Sequence, residues 1–378
     1  MMRWLASLAA VSLLLAGCGA HDDPTQRHLP PSTRGPTVTV VDSITIAEPD
    51  SLPLGEYASY IARSGRGDLF VADAGLRKVL HFDAGGRFRG VLGRAGDGPG
   101  ELRTPASIGL LPGDSLLAVT DVNRARIVVF GADDAVLRRE IGTPPMQFVS
   151  QEWSRRDDTV VFGFTAARAA LGKWAWHGDS IVPSGRTPRR AQLAGIAYGE
   201  SSIVATDSGY VALFPTEPGL FVLNRDAVPT GFVRIPVARR RGEPGDLMDK
   251  RKKLAAKQPG ALAGSMALGV QRLASGEWLV ISGDVDVSRS GEQTRGVNMR
   301  YYVSVVSANM QKVCVDGKFP LTTDVLSRPI LSADTVLLLT RNVESAGTRN
   351  RLLSMVVSTA GCDWQPTGGV EPPPRDSL

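Results

Sequence analysis

From Thr37 to Trp364 the chain is written in short apolar runs separated by Gly, Pro, Asp and Asn. Short runs with such boundaries predict strands and tight turns, not helices. Two stretches spell the unit most clearly. Gly67-Asp-Leu-Phe-Val-Ala-Asp73 leads through a turn into Lys78-Val79-Leu-His81-Phe82. Asp114-Ser-Leu-Leu-Ala-Val-Thr-Asp121 leads likewise into Arg126-Ile127-Val-Val-Phe130. Displacing the first by 48 positions superposes Asp73 on Asp121, Lys78 on Arg126, Val79 on Ile127 and Phe82 on Phe130. Each unit reads strand, acidic turn, strand, turn, and a further strand follows, Arg87 to Leu92 or Ala135 to Ile141. The acidic residue and the cation five positions on are expected to pair across the turn, a structural role.

Weaker sets follow. Phe148 to Val161 goes with Ala175 to Val182, and Ile196 to Thr206 with Tyr210 to Phe214 and Leu220 to Leu223. A fifth set runs through Leu268 to Arg272, Glu277 to Ser282, Arg300 to Ser307 and Val313 to Asp316. A sixth spans Pro329 to Leu331, Thr335 to Thr340 and Leu352 to Val357. The alternating run Thr37 to Ile46 precedes the first unit and is placed to complete the last sheet. A small sheet cannot bury both faces alone; radial stacking around an axis buries them. The pattern therefore predicts an all-β chain, a six-bladed β-propeller over 37–364 at about 55 residues per blade, with five or seven blades as the alternatives because the last three sets are irregular. One short inserted helix is expected, capped by Asp246 and running from Leu247 to about Lys257. Leu247, Met248, Leu254 and Ala255 form its apolar stripe, and Lys250, Arg251, Lys252 and Lys253 cover the rest, with Arg239, Arg240 and Arg241 just before it. It is either a solvated rim or a basic docking surface for an acidic protein, an anionic glycan or phospholipid headgroups.

Ahead of the ring, Arg3 precedes an apolar run from Leu5 to Ala16. A charged start and a run of this length describe a secretory signal, too short for a lasting membrane span. The run closes on Leu15-Ala16-Gly17-Cys18, which resembles the lipobox of bacterial lipoproteins. That resemblance implies a signal peptide over 1–17 and a lipidated Cys18 that begins the mature chain and anchors it to the membrane. Residues 18–36 lack apolar periodicity and read as a flexible tether, and 365–378 as a Pro-rich disordered tail.

Between the two clear units lies Leu92-Gly93-Arg94-Ala95-Gly96-Asp97-Gly98-Pro99-Gly100-Glu101-Leu102, then Pro105. This resembles the connector of NHL-repeat propellers, in which a Gly-rich turn leads through Gly-Glu-Leu to a Pro. Gly98, Gly100 and Glu101 carry the match. The whole resembles the NHL-repeat and TolB-like six-bladed propeller lipoproteins of bacteria. The alternative for these glycines, a phosphate cradle, lacks both a Gly-x-Gly-x-x-Gly and a following Lys-Ser/Thr pair.

Composition narrows the chemistry. Only 4 His and 3 Cys are present among 378 residues. That scarcity disfavours multi-His metal sites and Cys-rich modules. The formal net charge of +5 is too small for a nucleic-acid role without a matching motif. No Gly-x-Ser-x-Gly, His-Glu-x-x-His or Cys-x-x-Cys occurs. His81 falls inside a strand and His177 at a hairpin, and neither reads as catalytic. Trp174 and Trp176 share a strand face, either as an aromatic platform for a sugar or peptide or as packing between blades. Cys314 and Cys362, an even pair in an exported chain, fit a disulfide that would pin the end of the ring.

The expectation is a lipid-anchored cell-envelope propeller, facing periplasm or exterior from the outer membrane. It binds an envelope protein or anionic ligand at one face, with no catalytic residue and no cofactor. The alternative, implied by other six-bladed propellers, is a lactonase-like hydrolase with Ca²⁺ or another divalent cation on the axis. Asp284 and Asp286, alternating along one strand side, are its weak candidate ligands.

Overall fold

The computed structural model describes residues 26–374, apart from 56–57, 112, 144–147, 157, 166–167, 176–177, 195–200, 243–264, 291–292, 322–323, 326–328, 333 and 345–346. Six antiparallel sheets stand around one axis, and Arg94–Ala95 and Glu101–Leu102 form a short parallel pair in the connector after the first of them. Blade one is Ala58–Arg63, Leu69–Asp73, Lys78–Phe82 and Phe88–Leu92, from inside outward. Blade two is Pro105–Leu110, Leu116–Asp121, Arg126–Gly131 and Leu137–Gly142. The 48-residue displacement carries through to the backbone: Arg77 and Ala125, at equivalent turn positions, both adopt positive φ, 56° and 47°. Blade three starts at Phe148–Arg156, blade four at Ser202–Ala205 and blade five at Ser265–Arg272. Blade six has a split inner strand, Asp324–Val325 and Ile330–Ser332.

Successive strand residues point to opposite sides, and in a ring both sides are covered. Phe70 and Ala72 of blade one pack on Val119, Val128 and Phe130 of blade two. Their neighbours Leu69 and Val71 pack the other way, on Leu337, Leu339 and Leu352 of blade six. The remaining clusters of buried residues fill the other seams in the same manner. This is why the strands read as solid apolar runs. Each fully buried Phe, Leu or Val contributes roughly 1.5–3 kcal/mol.

Thr37–Ile46 closes the ring as the outermost strand of blade six, antiparallel to Gly347–Ser358, with Thr37 opposite Ser358 and Ile46 opposite Asn350. Val38 and Ile46 are buried beneath it, while Val40 and Val41, beside a register shift, face outward.

Two expectations are revised. The segment 26–36, read as tether, is docked: Leu29 N–H donates to the Val237 carbonyl at 2.7 Å and Val237 N–H to that of Arg27 at 2.9 Å. The tail is likewise tied down. Gln365–Pro366 pairs with Lys312–Lys318, the outer strand of blade five, and Glu371 exchanges backbone bonds with Phe232 of blade four. Apolar periodicity missed both because they are held by backbone bonds at a sheet edge, which leave no side-chain signature. The described helix is Arg189–Ala194, between blades three and four. The basic helix expected from Leu247, with Lys250, Arg251, Lys252 and Lys253, lies outside the described residues.

Cys314 and Cys362 are bonded, with Cα atoms 6.0 Å apart. The bond joins the outer strand of blade five to the chain leaving blade six. Beside it the Arg34 guanidinium and backbone N–H grip the Asp363 carboxylate at 2.8 Å each. In the chain-entropy picture a crosslink of this span contributes about 3–4 kcal/mol. Replacing both cysteines by Ala is expected to lower the unfolding free energy by about that amount in urea titrations. Arg34→Ala, which removes an exposed pair, should cost under about 1 kcal/mol.

Candidate functional site at the mouths of the ring

Inter-blade connectors and the turns between second and third strands lie at one end of the ring, the connector mouth. The other turns form the turn mouth. At the connector mouth Asp73, Asp121 and Asp284 occupy one register. Each stands opposite the first residue of its inner strand (Ala58, Pro105, Ser265) and a cation on the third strand (Lys78, Arg126, Arg300). All three are fully buried. Asp73 accepts from the Gly55 and Gly75 amides at 2.8 Å and from Leu76 at 3.0 Å. Asp121 accepts from the Thr104 amide at 2.8 Å and from Arg103 at 3.2 Å. Asp284 accepts from the Ser265 hydroxyl at 2.6 Å and the Arg241 amide at 3.1 Å. Gly55, Arg103, Thr104 and Arg241 all belong to the segment entering that carboxylate's own blade. Hydrogen bonds to an ionised acceptor are about twice as strong as neutral ones. Asp316 does the same from an outer strand, taking the amides of Ala238 and Arg239 at 2.6 and 2.9 Å and the Arg240 guanidinium at 3.1 Å.

This arrangement revises several site expectations. The ion pair across the turn forms in blade two, with Arg126 Nη2 3.6 Å from Asp121 and Nη1 2.6 Å from Glu140. In blade one, Lys78 stands opposite Asp73, but backbone amides take the carboxylate. Asp284 spends its oxygens inside the fold, and burial pushes its carboxyl above the usual range. The side chain of Asp286 lies outside the described residues. Among the described residues no three His, Cys, Asp or Glu are grouped to hold a metal ion. Arg240, expected in a basic surface, is buried on Asp316. The equivalence of Asp284 to Asp73 escaped sequence comparison because the second and third strands of blade five extend to 13 and 14 residues.

The glycine connector is internally satisfied. Gly98 N–H donates to Glu101 at 2.6 Å and Gly100 N–H to Glu140 at 2.8 Å. Gly100 has φ +70°, which favours glycine. The amides that would cradle a phosphate are thus held by the chain's own carboxylates. Next to them a cavity of about 350 Å³ is lined by Arg77, Gly96, Asp97, Arg103, Thr104 and Asn123. Arg103 holds the Asp97 carboxyl below the usual carboxylate range.

On the axis a cavity of about 390 Å³ is lined by the inner strands of all six blades, among them Arg63, Leu110, Trp153, Val204, Gln271 and Ser332. The Trp153 ring lies against Gly109, where a Cβ would come within 2.1 Å of it. One carboxylate, Asp114, lines this cavity, and it accepts the Gly65 amide at 2.6 Å.

Trp174 is core, not platform. It is buried against Phe162 and Phe164, and its Nε1–H donates to the Gly178 carbonyl at 2.8 Å. Trp176 and His177 lie outside the described residues. His81 stacks on Phe70 at 4.5 Å with Nε2 3.8 Å from Asp68. Burial outweighs Asp68 and lowers its pKa.

No protein-family model matches the chain. No curated relative matches it either. Solved structures do. A DUF4221 family member from Bacteroides vulgatus aligns with TM-score 0.59 at 9% identity, over 86% of this chain and 99% of its own. A protein from Bacteroides fragilis aligns at 0.54 and 12% identity, over 84% and 95%. Catalytically inactive virginiamycin B lyase from Staphylococcus aureus, solved with quinupristin, aligns at 0.50 and 13% identity, over 84% and 94%. At these identities the likeness establishes the propeller fold and nothing of its use.

Two outcomes follow. Asp121→Ala strips the Arg103 and Thr104 amides of their acceptor while Arg126 stays paired with Glu140, and should destabilise by about 1–3 kcal/mol for each unpaired amide in urea unfolding. Asp134→Ala, at an exposed pair, should cost no more than about 1 kcal/mol. His81 is disfavoured in its charged form when folded, so the unfolded chain binds its proton first as pH falls below the ordinary 6.5. Its contribution therefore weakens stability on acidification and rises with pH through that range. His81→Phe should flatten the dependence of unfolding free energy on pH between about 5 and 7.

Proposed function

We propose that the protein is a lipid-anchored envelope propeller that binds a partner at one mouth and performs no chemistry of its own. One observation carries this reading. The polar groups best placed for chemistry are committed to holding the ring: Asp73, Asp121, Asp284 and Asp316 take backbone amides, and Glu101 and Glu140 take the connector glycines. Exposed guanidiniums such as Arg77 and Arg239 remain at the connector mouth, where variable loops meet solvent. Fold alone does not decide the matter, since propellers serve unrelated ends.

The lactonase-like alternative requires oxygen ligands from several blades on the axis. Its lining offers one carboxylate, Asp114, already bonded to Gly65, beside Arg63 and Arg272. That set suits no hard divalent cation, which prefers six or more oxygens.

The lipid is supported by Leu15-Ala16-Gly17-Cys18 alone. Cys18→Ala is expected to move the chain from the membrane pellet to the soluble fraction, and the native N-terminal peptide should carry acyl mass on Cys18. Affinity capture from detergent-solubilised envelope should return a reproducible partner. A chain that recovers none, or whose melting temperature climbs several degrees with millimolar Ca²⁺, counts against the binding reading.

A further inference from the structure

The docked N-terminal segment bears on how the ring sits in the envelope. The Gln26 side chain lies against Gly242, where an added Cβ would fall 2.1 Å from Gln26 Oε1. Gly242 donates to Ser265 at 3.0 Å, the inner-strand residue paired with Asp284. The bonds from Arg27 and Leu29 to Val237 fix the next residues to the same connector. The first described residues thus sit at the connector mouth. Eight Cα steps separate Gln26 from Cys18, a span of at most about 29 Å even when fully extended. Whatever the path of 19–25, a lipid on Cys18 keeps this mouth near the bilayer.

The charge on that mouth is suited to such a surface. Arg77, Arg168, Arg186, Arg189 and Arg239 are exposed there, and Arg103 is exposed but paired with the exposed Asp97. They come from five places around the ring: the second turns of blades one and three, and the segments entering blades two, four and five. Thr187 N–H donates to the Arg168 carbonyl at 2.9 Å, which brings Arg168, Arg186 and Arg189 into one patch. The turn mouth instead carries carboxylates in its turns, with Asp133, Asp207 and Asp226 exposed, Asp68 and Asp114 half-buried and Asp83 buried. Several of these are met by arginines of their own turns and strands, as Asp83 is by Arg87. An anionic bilayer attracts the first mouth and not the second, and the attraction acts within about a Debye length.

We propose that the connector mouth is a membrane-facing surface that rests on anionic phospholipid headgroups, with the turn mouth directed away from the bilayer. This deepens the lipid-anchored reading and rests on it for the position of Cys18. The arginine surface itself is testable without the lipid. The probe is the mature chain carrying Cys18→Ser, sedimented with vesicles of phosphatidylcholine alone or with 40% phosphatidylglycerol, an amount of about that order being enough to set a clear surface potential. Binding at least about tenfold stronger to the anionic vesicles is expected, weakening as salt rises. The triple variant Arg168→Glu, Arg186→Glu, Arg189→Glu should lose at least about tenfold. A matched triple reversal at the turn mouth, Arg66→Glu, Arg87→Glu and Arg225→Glu, should change binding less than about twofold. Thermal melts of each variant separate loss of the patch from loss of the fold, and Arg→Gln at the same three positions serves if the reversal unfolds the chain. Equal binding to both vesicle types, or equal loss from both mouths, overturns the proposal. Acylation of Cys18 is read separately from the native peptide mass, so a missing lipid and an indifferent mouth are distinct results.

Discussion

A ring of sheets is stable only when it is shut. Each blade of this protein covers one face of the next, so an open seam exposes two apolar faces at once. The seam between blades six and one holds Ile46, Ile61, Leu69, Val71, Leu80, Leu337 and Leu352, all essentially buried. Its closure depends on Thr37–Ile46, brought in from the start of the domain to lie beside Gly347–Ser358. That contact joins residues some three hundred positions apart, and its loop-closure cost is met only when every intervening blade is in place. The fastenings gather at the neighbouring seam. The disulfide, the Arg34 and Asp363 pair, and the paired tail all tie the two chain ends to blade five. Fixing the ends beside the strand that closes the ring lowers the entropy that closure must overcome.

Within the ring a second constraint concerns the connectors. They must cross from the outer edge of one blade to the axis of the next with little secondary structure of their own to satisfy their amides. Buried unsatisfied amides are costly. Asp73, Asp121, Asp284 and Asp316 meet that need, each from a strand, and each receiving more than one donor. These carboxylates point inward to backbone, while of the cations in the same segments Arg103 reaches outward to Asp97 and Arg239 donates to the Asp316 carbonyl at 3.2 Å.

How much of this could be read from the residues depends on the length scale of each interaction. Strand period, the 48-residue repeat and the closing strand are local or repeated patterns, and they led to the six-bladed ring. Asp73 and Asp121 were recognisable as a repeated pair, but their partners were not. An amide at Gly55 or Thr104 carries no side-chain label, so the nearest cation five residues on looked like the natural mate. Arg126 satisfies that expectation and Lys78 does not. Asp284 resembled a ligand because its long strands hid its alignment with Asp73. Trp174 showed only a strand face, and whether that face met solvent or the next blade was fixed by ring packing. The docked ends, 26–36 and 365–371, were read as unstructured because sheet-edge bonding requires no apolar period.

The distribution of charge follows from the same topology. Turns at one mouth are tight, and tight turns favour Asp and Asn, whose short side chains bond to the backbone two to four residues on, as Asp83 and Asn224 do here. Connectors at the other mouth are longer, and the strand carboxylates beside them are buried on their amides, while the connector's own Asp97 is exposed and paired with Arg103. What is left to face solvent at that rim is disproportionately arginine, whose long stem reaches past the loop to water. A fold-stabilising device at each end thus leaves opposite signs outside. A lipid by itself holds a domain near a bilayer without orienting it; a domain with one basic and one acid-bearing mouth experiences a torque in the field of anionic headgroups. Under the proposed anchoring at Cys18, the position of Gln26 on the basic mouth makes tether and torque act in the same sense.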